Sequence, residues 1–354
     1  MTSISRPTLL INEDICRRNI LRMAEKAKLS GVVFRPHFKT HQSEIVADWF
    51  RDQGISAITV SSAEMALKFA EAGWDDITIA FPANLRETNY YNELASKITL
   101  NLLVDSPLVA LQLGTALKFD TGVFIEIDCG YPRSGVPVHQ TAVINEIISI
   151  INTSDHLKFR GFLTHAGHTY AASGQKEIIE IFNRSISLLL GLKREFTTEE
   201  FIPVLSLGDT PGCSLADSFE GIDEVRPGNF VYYDVMQYYL GSCQTSDIAV
   251  TVACPVTGIY PDRNEIVIYG GAVHLSKDYI DKDGKCFGLV VEYSENDRSG
   301  PLAETRVISL SQEHGIIRTT SEIISKIKHG DLLGILPVHS CLTADLLKDN
   351  VRIV

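Results

Sequence analysis

The sequence predicts a closed (β/α)₈ barrel over residues 12–236, followed by an antiparallel β domain over residues 237–354. Three observations carry this. Eight short β-type runs alternate with helical segments as far as about residue 235. Polar residues of the kind that do chemistry follow one run after another. Beyond residue 236 the helical spacing stops, and β-type runs succeed each other directly. Strict alternation implies parallel strands joined by right-handed crossovers. Eight such units suit a barrel, with an open doubly wound sheet as the alternative.

The opening PTLLI, before the first helix, is apolar enough to lend a strand to the β domain, whose N-terminal piece is residues 1–11. The eight barrel runs are then Val32–Arg35, Ile55–Val60, Ile77–Phe81, Thr99–Val104, Val123–Asp128, Lys158–Thr164, Pro203–Leu207 and Glu224–Tyr233. Between them, SAEMALKFAEAG offers Ser62 as an N-cap and Gly73 as a stop. GQKEIIEIFNRSISLLLGLKREF sets Ile178, Ile181, Ile186 and Leu189 along one helical side. The later runs DIAVTVACPVTGIY, NEIVIYGGAVHLS, KCFGLVVEYS, TRVISLSQEHGIIRT, GDLLGILPVHSC and NVRIV show no helix between them.

Composition narrows the function. The chain of 354 residues is 45% apolar and 21% charged, as globular proteins are. Its net charge of -12 argues against a nucleic-acid partner. Seven scattered cysteines without a CxxC pair read as reduced thiols. No signal-type leader and no apolar run of about 18 residues is present, so a soluble cytoplasmic protein is expected.

Within this acidic chain RPHFKTHQ is a basic island, with Arg35, His37, Lys39 and His41 at alternate positions. Read as an extended strand, it puts all four on one face. Such a field disfavours the charged form of Lys39 and would make it a nucleophilic amine; a solvated basic loop is the plainer reading. SLGDTPG and VRPGN are glycine turns after strands, with backbone N–H groups at Gly208, Thr210, Gly228 and Asn229 and hydroxyls at Ser206 and Thr210. Turns so late in a barrel commonly hold a phosphate. An amine and a phosphate pocket together describe pyridoxal 5′-phosphate bound as a Schiff base on Lys39.

RPHFKTHQ, DCGYPRSG, THAGHTY, SLGDTPG, VRPGNFVYYD, SQEHG and PVHSCLTADL, in that order, resemble the fold-type III pyridoxal-phosphate enzymes. The branch is that of D-serine dehydratases and D-threonine aldolases, and THAGHTY looks closer to the dehydratase side. The resemblance spans nearly the whole chain. It implies an alanine racemase-like TIM barrel with a C-terminal β domain, usually as a homodimer. Carried over, Lys39 is the internal aldimine lysine and Arg133 sits near the phenolic oxygen of the cofactor, with Asp128 orienting it. Gly228, Asn229 and Thr210 hold the phosphate, and His165 and Tyr170 line the pocket. Arg226 stands where racemases set an arginine against the pyridine nitrogen, and Phe230 replaces a tyrosine of relatives.

His339 and Cys341, two positions apart after a β-type run, offer the nitrogen and sulfur ligands that Zn²⁺ prefers. The resemblance makes this pair the metal site of the family. The implied reaction is loss of water from a D-β-hydroxy amino acid, giving a 2-oxo acid and ammonia. Retro-aldol cleavage to glycine and an aldehyde needs the same groups. A non-catalytic cofactor carrier is the alternative from another class. Glu313, His314 and His274 are weaker candidates, for proton transfer or for plain surface pairing.

Overall fold

The computed structural model describes residues 4–293 and 298–354, with Arg298 described by its backbone alone. Residues 1–3 of the expected N-terminal piece and Ser294 at the end of KCFGLVVEYS lie outside the described residues. The chain divides into two compact units, Leu21–Gly228 and the residues up to Ile20 with Asn229–Val354.

In the first unit the strands are Val33–Phe34, Ala57–Val60, Asp76–Pro82, Thr99–Val104, Thr121–Asp128, Leu157–Thr164, Val204–Leu207 and Glu224–Val225. All eight expected runs are strands, and each pairs in parallel with its neighbour. Glu224–Val225 returns to pair with Val33–Phe34. His37 bridges Thr59, and the Thr59 N–H donates to the Pro36 carbonyl at 2.9 Å. The sheet therefore closes on itself, and the open-sheet alternative falls. Leu103, Phe124 and Leu163, from three adjacent strands, form an apolar cluster, each 1% exposed. Ser62 caps the helix Ala63–Glu71 by accepting from the Met65 N–H, as its position predicts. The helix Gln175–Phe196 buries Ile178, Ile186 and Leu189 together with Phe182 and Leu192.

Two runs end sooner than expected. The eighth stops at Val225, because Pro227 has no N–H for a ladder, and the chain turns through Asn229–Val231. The first stops at Phe34, and residues Phe38–Thr40 form a 3₁₀ turn. The alternate-face reading of RPHFKTHQ thus holds only as far as His37.

The second unit is built on a ring of six antiparallel strands: Val250–Tyr260, Glu265–Tyr269, His314–Arg318, Arg298–Leu310, Gly288–Tyr293 and Leu332–Pro337, the last pairing back to the first. Thr8–Ile11 from PTLLI adds an antiparallel strand against Val250–Ala253. The final strand Val351–Ile353 lies parallel to Thr8–Ile11, so one pair departs from the antiparallel rule. Short helices also interrupt the β-type runs, at Ala272–Leu275, Ser321–Ile324 and Ser340–Leu346. Each is at most two turns long, too short to leave a periodic signature.

Candidate active site

The 3₁₀ turn that carries Lys39 is held from below by Phe38. This ring is fully buried, and its centroid lies 5.1 Å from Phe50, 5.0 Å from Phe69 and 5.1 Å from Trp74. From above, the His37 Nδ1 accepts the Lys39 N–H at 3.3 Å. Lys39 itself is exposed. Among the described residues, no carboxylate pairs with its amine.

The other bases of the motif go elsewhere. His41 is buried against Phe38 and Phe50 at 4.5 and 5.8 Å, and its Nδ1 accepts the Ser43 N–H at 3.1 Å. Burial, opposed by the Ser43 carbonyl 3.2 Å from Nδ1 and reinforced by Lys68, draws its pKa down to about 3, so the ring is neutral. Arg35 is buried between two carboxylates, with Nε donating to Glu224 at 2.5 Å and Nη1 and Nη2 forking Asp76 at 2.6 and 3.0 Å. The expected four-base face is therefore corrected. Arg35 is neutralised, His41 is part of the core, and only His37 stands beside Lys39 on the barrel rim.

Past the sixth strand, the His165 Nδ1–H donates to the Gly208 carbonyl at 2.7 Å, which leaves Nε2 as an acceptor. Burial first, then the charges of Lys39, Arg133 and Arg226 against the Gly208 bond, bring its pKa to about 3. His37 is also pulled well down, by burial and then by Lys39, Arg226, His165 and His41. Both imidazoles are neutral inside a ring of cations. The Tyr170 hydroxyl accepts the Thr210 N–H at 3.4 Å. The Asp128 carboxylate accepts the Gly130 N–H at 2.8 Å instead of pairing with Arg133. The Arg133 guanidinium lies 5.5 Å from the centre of the Tyr131 ring.

Ser206 is fully buried, below the rim. Its hydroxyl donates to Glu224 at 2.6 Å and accepts from Arg226 Nε at 2.6 Å. A hydroxyl has one proton, so none is left for a phosphate, and that expectation is corrected. Gly208 and Gly228 are sterically required. A Cβ on Gly208 would lie 2.7 Å from the Arg226 backbone, and one on Gly228 would lie 2.8 Å from the His37 carbonyl oxygen.

Sequence reasoning passed over three residues here. Tyr131 packs edge-on to His165 and parallel to His168, and Gly167 has no Cβ where its ring lies. Glu126 is buried, with Oε1 accepting from Ser134 at 2.9 Å and, among the described residues, no hydrogen-bond partner for Oε2. Asp209 accepts from Thr169 and from the Gly212 N–H, while burial lifts its pKa to about 6. Tyr131 and Asp209 lie inside motifs already singled out. Nothing in the local sequence marks Glu126.

In the second unit, His339 is extended and occupies the N-cap position of the helix Ser340–Leu346, so Cys341 lies in the first helical turn and not on an extended run. The two side chains nonetheless interact, Cys341 being, after burial, the next largest influence on the His339 imidazole. The His339 Nδ1 faces Asp278 Oδ2 at 2.7 Å, which leaves Nε2 as the nitrogen open to a ligand. An imidazole braced by a carboxylate is the usual outer support of a metal-binding histidine. The Asn229 amide donates to Asp234, Ser340 and Cys341 at 2.7, 2.9 and 3.5 Å, so its side chain belongs to this turn. Among the described residues no group of three or more His, Cys, Asp or Glu is arranged for a metal. His274 and Glu313 come together at 3.7 Å, while His314 is exposed on its strand.

These donor sets fit an anionic, aldehyde-bearing cofactor and a divalent ion. Lys39 and Arg133 have no carboxylate partner among the described residues, Arg226 is buried, and the histidines beside them are uncharged. A cationic rim in an acidic chain needs an anion. The class so defined is that of the pyridoxal-phosphate barrels, and residues 11–235 match the family model for the alanine racemase N-terminal domain. Residues 249–352 match the putative serine dehydratase domain. The chain belongs to the D-serine dehydratase family of fold-type III pyridoxal-phosphate enzymes.

D-serine dehydratase of Dictyostelium discoideum is 30% identical, over 99% of this chain and 93% of its own. The solved D-threo-3-hydroxyaspartate dehydratase from Delftia sp. superposes with a TM-score of 0.89 at 27% identity, covering 97% of this chain and 93% of its own. Two variants of that dehydratase have also been solved, a histidine-to-alanine and a cysteine-to-alanine exchange two positions apart, the latter described as a metal-free form. A 3-hydroxy-D-aspartate aldolase of Paracoccus denitrificans is 23% identical over 96% of this chain and 86% of its own. Among the described residues, no helix is long and apolar enough to cross a membrane.

Proposed function

We propose that this chain is a dehydratase for D-configured β-hydroxy amino acids of the D-serine, D-threonine or 3-hydroxyaspartate type, releasing a 2-oxo acid and ammonia. One observation carries the choice. The His339–Cys341 turn, with Asp278 behind the imidazole, has no task in a racemase or a carrier, and it matches in spacing the histidine and cysteine exchanged in the Delftia enzyme.

Pyridoxal phosphate, when bound, supplies an electron-withdrawing ring that stabilises negative charge at the substrate Cα. Lys39 holds the cofactor through Nζ and, once released, takes the Cα proton. Its exposed position suits both tasks, while Phe38 fixes the backbone beneath it. Arg133 and Arg226 are assigned to the ring side. The backbone of Gly228 and Asn229, with Thr210, is assigned to the phosphate. His165 presents Nε2 as an uncharged acceptor, and Tyr170 completes the pocket. His339 and Cys341 are the ligands for a divalent ion, Zn²⁺ by donor type, whose Lewis acidity eases departure of a hydroxyl. The division at residues 236 and 237, with residues 1–11 joined to the β domain, and a homodimeric, cytoplasmic enzyme complete the reading.

The 23% relative named as an aldolase supports a second reading, cleavage to glycine and an aldehyde. Incubating the loaded protein with D-serine, D-threonine and D-threo-3-hydroxyaspartate, with and without EDTA, separates the two. Ammonia and 2-oxo acid that vanish with EDTA are expected. Glycine and aldehyde without ammonia would sink the dehydratase reading, and no product from a cofactor-loaded protein would leave a carrier.

A further inference from the structure

The barrel contains a buried polar chain of which the assigned roles use only Arg226. Arg226 Nε donates to Ser206 Oγ at 2.6 Å, and Ser206 Oγ donates to Glu224 Oε1 at 2.6 Å. Glu224 Oε2 accepts from Arg35 Nε at 2.5 Å, and Arg35 forks Asp76 through Nη1 and Nη2 at 2.6 and 3.0 Å. Arg226, Glu224 and Arg35 are each 4–5% exposed and Ser206 is wholly buried. The Asp76 side chain is 34% exposed. Two guanidinium groups and two carboxylates balance in charge. A serine hydroxyl, which gives one hydrogen bond and receives another, joins them.

The chain runs from the residue after the eighth strand to the first residue of the third. At its outer end Asp76 lines an open cleft with Asn101, Thr121 and Arg160. At its inner end the Arg226 guanidinium is held at Nε by the Ser206 hydroxyl and at Nη2 by the Thr164 carbonyl, 2.7 Å away, and more loosely by the Ser206 carbonyl at 3.5 Å. Among the described residues no hydrogen bond engages its Nη1. The charge of Arg226 is felt by both His37 and His165, the two imidazoles beside Lys39.

We propose that Ser206 and Glu224 are positioning residues, which with Arg35 and Asp76 hold Arg226 as an oriented cation whose Nη1 edge meets the cofactor. This rests on the pyridoxal-phosphate reading above. Within a low-dielectric interior such a chain polarises along its length, so its members act together and not as a sum. Removing the Ser206 hydroxyl cuts the chain between Glu224 and Arg226. Removing the Asp76 charge leaves Arg35 leaning wholly on Glu224, which weakens the hold of Glu224 on Ser206.

The test is a double-mutant cycle read on cofactor affinity, by titrating the apoprotein with pyridoxal phosphate and following visible absorbance. Ser206→Ala is expected to raise Kd about 10-fold. Asp76→Asn, remote from the rim, is expected to raise it about 2–3-fold. The double variant is expected to match Ser206→Ala alone, because the cut chain no longer transmits the Asp76 change. A Kd for Ser206→Ala within about twofold of the parent, or a double-variant effect equal to the product of the single ones, overturns the proposal. Should Ser206→Ala not fold, Ser206→Cys, which fills the space with a weak donor, is read by the same criteria. A parent protein that binds no pyridoxal phosphate refutes the cofactor reading itself. Normal parent binding with indifferent variants refutes only the positioning role.

Discussion

Acid should loosen the lysine turn through His41, two residues past Lys39. Its ring is buried among Phe38, Phe50 and Phe69, with a folded pKa of about 3 against 6.5 for the free side chain. A depressed folded pKa contributes stability that is fully present above the unfolded value and is lost as pH falls toward the folded one. Between about pH 7.5 and about pH 4.5 the unfolded chain takes up the proton and the folded chain does not, which removes about 2–3 kcal/mol from this group alone. His41→Phe keeps the aromatic packing and removes the titration. It also deprives the Ser43 N–H of its acceptor, a loss of about 1 kcal/mol. The variant is therefore expected to be the less stable protein near neutrality and the more stable one by about 1–2 kcal/mol near pH 4.5. Urea denaturation followed by fluorescence at the two pH values measures both differences. Other titrating groups, His165 among them, are common to both proteins and cancel. Stability curves that stay parallel in pH would refute the reasoning.

Phe38→Ala, which empties a fully buried ring site beneath the lysine turn, is expected to destabilise by about 3–5 kcal/mol in the same assay and to lower cofactor affinity. A loss below about 1.5 kcal/mol would mean that the surrounding rings close over the gap. Asp278→Asn, which removes the charge behind His339, is expected to weaken metal binding about 10–100-fold in a competition with a chelator, and unchanged affinity would remove Asp278 from the site. Gly228→Ala places a Cβ 2.8 Å from the His37 carbonyl oxygen and is expected to displace the lysine turn, read as lost cofactor binding.

The barrel was legible because βα alternation is a local signal, and all eight runs proved to be strands in order. Its closure was legible only through the count of eight units, since the bridge between His37 and Thr59 that completes it is announced by no periodicity. The chemistry was legible as residue types and misread as geometry. Arg35 seemed to stand with Lys39, but its partners Asp76 and Glu224 lie 41 and 189 residues away. Ser206 read as a phosphate donor because Glu224 and Arg226, which occupy its hydroxyl, are 18 and 20 residues off. Asp278 lies 61 residues before His339, in a segment that drew notice only for His274. What sequence concealed in each case was pairing between residues far apart along the chain.

The proposed chemistry depends most directly on Lys39 as the residue that carries the cofactor. Reducing the pyridoxal-phosphate-loaded protein with borohydride, digesting it and mapping the modified peptide by mass spectrometry tests that directly. The label is expected on Lys39, within the peptide that holds Phe38 and Thr40. A label on another lysine, or on none, would contradict it.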